Sequence, residues 1–496
     1  MTDVLLATAN FMALDPKQRR KSRPYPPLAA LYAASLLRKD GLEVGLFDAT
    51  LQPDEQAFAD CLRTHRPRLV VLYEDNFNFL SKMCLDRMVD AALTMAGMAR
   101  ASGATVAAAG PHVTDHPERY VSRDVQFALV REPDRSTAEL AAILLGRAPG
   151  QPDAVPGVVV ADPSAPRGLR FSAGRPPERD LDSFPEAAWD LVDVEAYRRV
   201  WTEAHGYFSL NLVTTRGCPF HCNWCAKPIW GQRYAMHSPA RVASDLASLK
   251  FHCSPDHVWF ADDIFGLRPA WVTEFAREVA ARDARVPFTI QTRADLMTPE
   301  AVEGLARAGC AEAWLGAESG SQQVLDAMDK GTTVEEIADA RQRLGAAGIR
   351  TAFFIQFGYP GEEWSQIMET VEMVRRLLPD DIGVSVTYPL PGTGLYDRVR
   401  EELGAKTQWV DSDDLAMMFQ GTYTSEFYRR LHTLLHRDLD VRRAEAAGRD
   451  MSVEAAAVSE AWALLEQTEA QHRQADPLQL GVRESLPRPV LAMDAN

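Results

Sequence analysis

Residues 214–226 read TTRGCPFHCNWCA, and they constrain this chain more than any other stretch. Cys218, Cys222 and Cys225 stand at C-x3-C-x2-C spacing. Three thiols this close on one loop cannot all be satisfied by packing, so they read as ligands to one metal centre. A four-iron cubane takes four ligands, and only three are local; Cys253 and Cys310 are distant and flanked by helix-like sequence. A cubane held by three cysteines keeps one open iron, and an open iron can bind a substrate. Zinc is the alternative, but zinc sites favour paired C-x2-C knuckles with histidine, and no second knuckle is present. His221, inside the loop, reads as a solvated residue. The loop follows an expected strand over 209–215, and Gly217 and Pro219 let the backbone wrap tightly around a metal. Trp224, just before the third cysteine, would shield the centre from water.

The remaining composition narrows the setting. At 496 residues, two or three domains are expected. A formal charge of −16 argues against nucleic-acid or membrane-surface binding. No apolar run reaches about 18 residues, so no transmembrane segment is expected. The start, MTDVLLATANFMALD, lacks a basic region before its short apolar run and does not read as a signal peptide. Seven cysteines, three of them in a cluster motif, fit a reducing, cytoplasmic setting better than a disulfide scaffold.

The spacing C-x3-C-x-aromatic-C after a first barrel strand resembles the radical S-adenosylmethionine (SAM) enzymes. That resemblance implies a 4Fe-4S cluster on Cys218, Cys222 and Cys225, its open iron chelated by the amino and carboxylate groups of SAM. It also implies reductive cleavage of SAM to a 5′-deoxyadenosyl radical, and so an electron donor such as flavodoxin or ferredoxin.

From Val4 to about Gly146 short apolar runs alternate with helical patterns, with strands expected at 4–7, 44–47, 69–73, 105–109 and 127–130. Repeated βα units of this length predict an α/β, doubly wound parallel sheet over 1–147, with ligands beyond the carboxyl ends of its strands. Asp48 and Thr50, then Tyr73, Glu74 and Asn76, then Gly110, Pro111 and His112, and finally Arg131 follow four of these strands. With the opening KSRPYPPLAALYAASLL, they resemble the cobalamin-binding domain that precedes the radical SAM barrel in one large subclass. The resemblance implies that these residues surround a corrin, with a glycine after the fourth strand admitting its tail. One pattern is missing: the D-x-H-x-x-G motif that gives a histidine to cobalt is absent, and the 73–77 loop is the candidate for the lower cobalt face. A Rossmann-like domain binding no corrin is the plainer reading of the same residues. No G-x-G-x-x-G follows the first strand, which weighs against a dinucleotide.

Residues 148–205 are rich in Pro and Gly and read as a linker with one hairpin, 158–160 against 169–171. Over 206–400 further strand–helix units predict an incomplete, six-stranded TIM-type barrel, with polar residues at the carboxyl ends of its strands. ADDIF, LGAESGSQQVLDAMDKGTT, FGYPGEE and TYPLPGTGLYD resemble the family's strand motifs. The resemblance makes Trp224, Asp262, Asp263, Arg293, Glu318 and Ser319 neighbours of SAM. Charge supports it, since a zwitterionic ligand needs a carboxylate, a cation and acceptors for its ribose. Residues 401–475 read as helices, with Trp409, Met417, Met418 and Tyr423 as candidate lid residues or core, and 476–496 as a disordered tail.

The resulting expectation is a cobalamin-dependent radical SAM methyltransferase acting on an unactivated carbon of a small molecule. An oxidative cyclase resembling the anaerobic magnesium-protoporphyrin monomethyl ester cyclase uses the same cofactors and is the alternative. A non-catalytic cobalamin-binding or iron–sulfur redox protein is the alternative of another class.

Overall fold

The computed structural model describes residues 2–77, 85–121, 123–226, 229–403, 408–412, 414–475 and 477–481. Strands β1 (Val4–Ala7), β2 (Val44–Phe47), β3 (Leu69–Tyr73), β4 (Thr105–Ala109) and β5 (Phe127–Leu129) form a parallel sheet in the order β2-β1-β3-β4-β5. β1 and β3 are buried throughout, as expected of strands covered on both faces. Helices α1 (Leu28–Lys39), α2 (Gln56–His65), α3 (Asp86–Ala101) and α4 (Asp134–Leu144) supply the cover. The strand order reverses between β1 and β3, which opens a crevice beyond their carboxyl ends.

The hairpin expected in the linker is present as β6 (Val158–Ala161) and β7 (Leu169–Phe171), but it does not stand alone. β6 pairs antiparallel with β5, so the sheet gains two edge strands. Sequence could show the turn but not which edge would receive it. Helix α5 (Val194–His205) then leads into the second sheet.

That sheet is wholly parallel and six-stranded: β8 (Ser209–Leu212), β11 (His257–Phe260), β12 (Phe288–Thr292), β13 (Cys310–Glu318), β14 (Arg350–Phe357) and β15 (Asp381–Val386), in that spatial order. A two-rung ladder, β9 (Thr215–Arg216) with β10 (Ala235–Met236), lies outside it. Helices α6 (Pro239–Cys253), α7 (Pro269–Ala281), α8 (Pro299–Ala308), α9 (Val334–Ala346) and α10 (Trp364–Leu377) alternate with the strands. Leu210, Leu212, Val258, Phe260, Phe288 and Ile290 share one core with Leu246 and Phe275 of these helices. The alternate residues of each strand face the other way, as the period of two requires.

The inner face carries a hydrogen-bonded line across neighbouring strands. Ser209 Oγ lies 2.9 Å from His257 Nδ1, and His257 Nε2 lies 3.0 Å from Thr289 Oγ1. Tyr25 joins it from the N-terminal domain, with its hydroxyl 3.1 Å from Ser209 Oγ and its ring 4.9 Å from that of Trp259. Asn211 Nδ2 donates to the Pro26 carbonyl and Trp201 Nε1 to that of Pro24. The KSRPYPP segment thus seats the N-terminal domain on the barrel before α1 begins.

Helices α11 (Ser425–Ala446) and α12 (Ser452–His472) pack together. The buried Asp438 accepts from Arg375 of α10 at 2.8 Å and from Trp462 of α12 at 2.8 Å. Trp409, Met418 and Tyr423 are buried core rather than a mobile face, and Met417 is half-buried. The stretch before them reaches the N-terminal domain, where Ser412 donates to the buried Asp15 carboxylate at 3.0 and 2.9 Å. Arg429 and Arg430 lie on the exposed side of α11. Most of the expected tail, 482–496, falls outside the described residues. Among the described residues no helix is long and apolar enough to cross a membrane.

Candidate functional site

Cys218, Cys222 and Cys225 lie together on the loop that leaves β8, at the carboxyl end of the barrel sheet, and all three are half-buried thiols. The β9–β10 ladder closes the base of this loop. Gly217 stands there with φ +79°, and a Cβ on it would overlap the Arg233 carbonyl oxygen, so only glycine lets the two sides meet. Among the described residues no three His, Cys, Asp or Glu side chains converge on a point for a single ion. A cubane makes no such demand, because each of its irons takes its own thiolate. Three thiols and a glycine-closed loop fit a cluster of this kind.

Each side of the loop is fastened to the barrel. Asp262, at the end of β11, is fully buried and accepts from Thr214 N at 2.7 Å, Thr215 N at 2.9 Å and Thr214 Oγ1 at 2.6 Å. Burial pushes its carboxyl up to about 7 despite these bonds. Its neighbour Asp263 is exposed. The two expected acidic SAM neighbours therefore point different ways, one buckling the root of the loop and the other reaching solvent.

Arg293, after β12, lies 3.7 Å over the ring of Phe220 and brings Nη1 to 3.9 Å from Cys222 Sγ. Asp295 holds it in place through two hydrogen bonds, at 2.9 and 3.2 Å. Glu318 ends β13 with φ +61° at a shift in register, a costly conformation for glutamate, and pairs with Lys330 at 2.8 Å. Both are buried. A Cβ on Gly316 would stand 2.7 Å from Lys330 Nζ and 2.8 Å from Glu318 Oε1, so glycine leaves the room this pair needs. Burial pulls the Lys330 pKa down, but Glu318 and then Cys222 raise it above its ordinary value. Two cations thus face the thiols, which suits a centre built on thiolates. Ser319 turns inward instead, 3.0 Å from Thr370 Oγ1. Trp224 packs against the apolar patch that holds Met328 and Tyr359, and its buried Nε1 has no hydrogen-bond partner among the described residues.

Sequence reasoning missed the pin of the loop. Asn223 N bonds to the Met328 carbonyl at 3.0 Å, Asn223 Nδ2 to the Ala327 carbonyl at 2.7 Å, and its own carbonyl accepts from Leu395 N at 2.9 Å. Tyr359 OH shares its proton between Asn223 Oδ1 and the Ala327 carbonyl. Asn223 sits inside the cysteine motif, Lys330 inside the DAMDKG run and Tyr359 inside FGYPG; the motifs were legible, but not which members would meet.

The N-terminal candidates divide into four groups. Tyr73, Glu74, Asn76 and Gly110 meet where β3 and β4 end. Gly110 (φ +143°) would place a Cβ 2.7 Å from Glu74 Cβ, so Glu74 already fills the space beside it. Burial pushes Glu74 up to about 7. Tyr73 OH and Asn76 Oδ1 are buried with no hydrogen-bond partner among the described residues. Such unspent polar groups fit the polar periphery of a bound corrin. Asp48 and Thr50 belong elsewhere: Asp48 accepts from Tyr197 OH of α5 at 2.6 Å and from Thr50 N at 3.0 Å. Pro111 opens a short helix and is buried. His112 behind it is sealed by Tyr120 OH at 3.0 Å and Gln408 Nε2 at 2.6 Å, and burial lowers its pKa to about 3. Arg131 is exposed, its backbone N bonded to Thr114 Oγ1.

Between the two domains stands a buried ionic group. Arg216, two residues before Cys218, pairs with Glu132 and with Asp134, the latter at 2.9 Å. Its guanidinium lies 4.5 Å over Phe184, and Phe77 stacks on Trp230 of the cysteine loop at 5.3 Å. The crevice end of the first sheet thus touches the root of the cysteine loop directly.

Comparison with known proteins agrees with this architecture. Residues 212–374 match the radical SAM superfamily. An uncharacterized methyltransferase of Pyrococcus horikoshii is 24% identical over 375 residues, 75% of this chain and 78% of that protein. The anaerobic magnesium-protoporphyrin IX monomethyl ester cyclase of Rubrivivax gelatinosus is 28% identical over 271 residues, 51% of this chain and 46% of the cyclase. Among solved structures, the radical SAM methyltransferase TsrM from Kitasatospora setae, with cobalamin and a 4Fe-4S cluster bound, superposes with TM-score 0.65 at 21% identity, over 81% of this chain and 75% of TsrM. The cobalamin-dependent radical SAM enzyme OxsB gives 0.62 at 19% identity, over 76% of this chain and 52% of OxsB. This chain thus carries a radical SAM domain over 212–374 and shares the overall fold of TsrM and OxsB.

Proposed function

We propose that this protein is a cobalamin-dependent radical SAM methyltransferase that methylates an unactivated carbon of a small molecule. The observation that carries the reading is the placement of the Cys218–Cys222–Cys225 loop at the barrel mouth, its root joined through Arg216 to Glu132 and Asp134 at the carboxyl end of the first sheet. A substrate held there lies between a cluster site and a corrin site. TsrM, solved also with tryptophan substrate and a SAM analog, is a methyltransferase of this fold and supports it.

In this reading Cys218, Cys222 and Cys225 hold the cluster, while Arg293 and Lys330 balance its negative charge. Trp224, Asp263 and Glu318 border the SAM site, Ser319 holds the turn behind Glu318 through Thr370, and Asp262 positions the loop that defines it. Tyr73, Glu74, Asn76 and Gly110 face the corrin, with Asp48, Thr50, Pro111, His112 and Arg131 shaping the loops around it. When bound, these groups supply a carbon radical and a transferable methyl group. The chain's part is to orient them and to exclude water, for which the apolar wall of Phe77, Trp230 and Phe184 is suited. The working unit comprises a corrin domain over 1–147 with the 158–171 hairpin at its edge, the remaining linker to 205, the barrel over 206–400 and a helical cover over 401–475. It works in the cytoplasm with a flavodoxin- or ferredoxin-like electron donor.

The cyclase relative favours a second outcome with the same cofactors, in which the substrate radical is oxidised or cyclised. One anaerobic experiment tests the reading. The protein is reconstituted with iron and sulfide, mixed with hydroxocobalamin, desalted and examined by absorption. Corrin near one per chain beside a broad iron–sulfur band is expected. A cluster without corrin would remove the methyltransferase reading. With substrate, a gain of one CH2 unit supports methylation and its absence supports cyclisation.

A further inference from the structure

Past α12 the chain turns back toward the barrel mouth. Gln474 N donates to the Thr422 carbonyl at 2.9 Å and Gln474 Nε2 to the Tyr423 carbonyl at 3.0 Å. Arg473 Nη2 donates to Glu363 at 2.7 Å. Residues 477–481, PLQLG, then lie against the loop that follows β14. A Cβ on Gly361, where φ is +85°, would overlap Leu480 N, so the two backbones touch there. Arg398 donates to the Gln479 carbonyl. Leu478 and Leu480 both pack on the apolar patch of Met328, Tyr359, Leu395 and Val399 that also takes Trp224. Gln479 between them is exposed, the alternation of a segment lying flat on a surface.

The two elements that receive this segment are also two that hold the cysteine loop. Tyr359, two residues before Gly361, bonds to Asn223 Oδ1 at 3.0 Å. Leu395 lies one turn before Arg398 on the short helix Gly394–Val399, and its N–H donates to the Asn223 carbonyl at 2.9 Å. Asn223 directly follows Cys222 and stands two residues before Cys225. A loop and a helix of 6 residues have little stability of their own and depend on what packs against them.

We propose that residues 477–481 are a positioning strap for the cysteine loop, holding Tyr359 and Leu395 where they keep Cys222 and Cys225 in ligating place. The proposal rests on the cluster reading for what the thiols bind, and on these contacts for how the thiols are held. With the strap lifted, Asn223 keeps its bond to the Ala327 carbonyl, but Tyr359 and Leu395 lose the segment that joins them. The loop then opens locally while the two sheets stay folded.

The test uses the full chain, wild type against Leu478→Asp with Leu480→Asp. Leu478→Met with Leu480→Met is the conservative control, since methionine fills the same apolar space. Alkylation of each cysteine by iodoacetamide in the metal-free protein is followed by mass spectrometry. Cys61, a half-buried thiol of the first domain, is the internal reference. Cys222 and Cys225 should react roughly fivefold faster in the aspartate variant, the effect of losing local stability worth one hydrogen bond. Cys61 should be unchanged, and the methionine control should match wild type. Unchanged rates at Cys222 and Cys225 would overturn the proposal. So would an equal rise at Cys61, which marks loosening of the whole fold. Should the aspartate variant fail to fold, Arg398→Ala decides, because it removes the bond to Gln479 and leaves the strap's own sequence intact. Faster alkylation of Cys222 and Cys225 alone is expected there too, and wild-type rates would overturn the proposal. A wild-type chain that takes up no cubane on reconstitution overturns the cluster reading, while the strap stands or falls by the thiol rates.

Discussion

Asn223, between the second and third cysteines of the loop, lies with its Oδ1 3.0 Å from the hydroxyl of Tyr359, which follows the fifth barrel strand. The contact joins residues 136 apart in the chain. Through it, and through the Ala327 and Met328 carbonyls, the loop's position is set by the barrel and not by the loop's own sequence.

Removing that pin should loosen the cluster before it harms the fold. Asn223→Ala deletes both side-chain hydrogen bonds, a loss of about 2 kcal/mol at roughly 1 kcal/mol each. Tyr359→Phe should lose about half as much, because the Asn223 bond to Ala327 survives. Iron retained per chain after desalting should fall in the order wild type, Tyr359→Phe, Asn223→Ala. Equal retention in all three would show that the pin does not matter.

Gly217→Ala makes a sharper case. The new methyl would overlap the Arg233 carbonyl, and φ +79° disfavours alanine besides. Far-UV circular dichroism should be nearly unchanged while cluster uptake is largely lost. A variant that loads like wild type would mean that the β9–β10 ladder is not needed to close the loop.

Arg216 carries the domain contact. Arg216→Met leaves Glu132 and Asp134 buried together without their cation, and breaking such a group costs about 3–5 kcal/mol. Urea unfolding should show the loss. Adding Glu132→Gln and Asp134→Asn should restore a good part of it, since the penalty belongs to the stranded charges. If the triple variant is no more stable than Arg216→Met, the ionic group is not the source.

His112 gives a pH signature. Burial, with His116 and Arg119 nearby, lowers its folded pKa to about 3, against about 6.5 in an unfolded chain. Between those values the unfolded state binds the extra proton, so this residue's contribution to stability is complete above pH 6.5 and is lost as pH falls toward 3. Compared with His112→Gln, the wild type should lose on the order of 3 kcal/mol between pH 6.5 and 4. Parallel pH profiles would mean that His112 titrates in the folded protein as it does unfolded.

The strands were the most legible part of the chain. Val4–Ala7, Val44–Phe47, Leu69–Tyr73, Thr105–Ala109 and His257–Phe260 can be read directly as short apolar runs, because a parallel strand buried between helices needs little else. The cysteine spacing likewise names its own chemistry within one loop. Boundaries were less legible: β13 runs from Cys310 to Glu318, beyond the apolar centre at 313–315, because polar residues continue the ladder wherever neighbouring strands offer partners.

What only the tertiary structure decided is where polar side chains spend their hydrogen bonds. Asp262 and Ser319 both read as strand-end polar residues, yet one clamps Thr214 and Thr215 and the other meets Thr370. His112 finds Gln408, 296 residues away, and Arg216 finds Glu132 and Asp134 across the domain boundary. Local sequence sets backbone dihedrals and the apolar period, which repeat over a few residues and can be read there. A buried polar group must instead pair with whatever long-range packing brings within about 3 Å, and that partner is fixed only when the two domains close on each other.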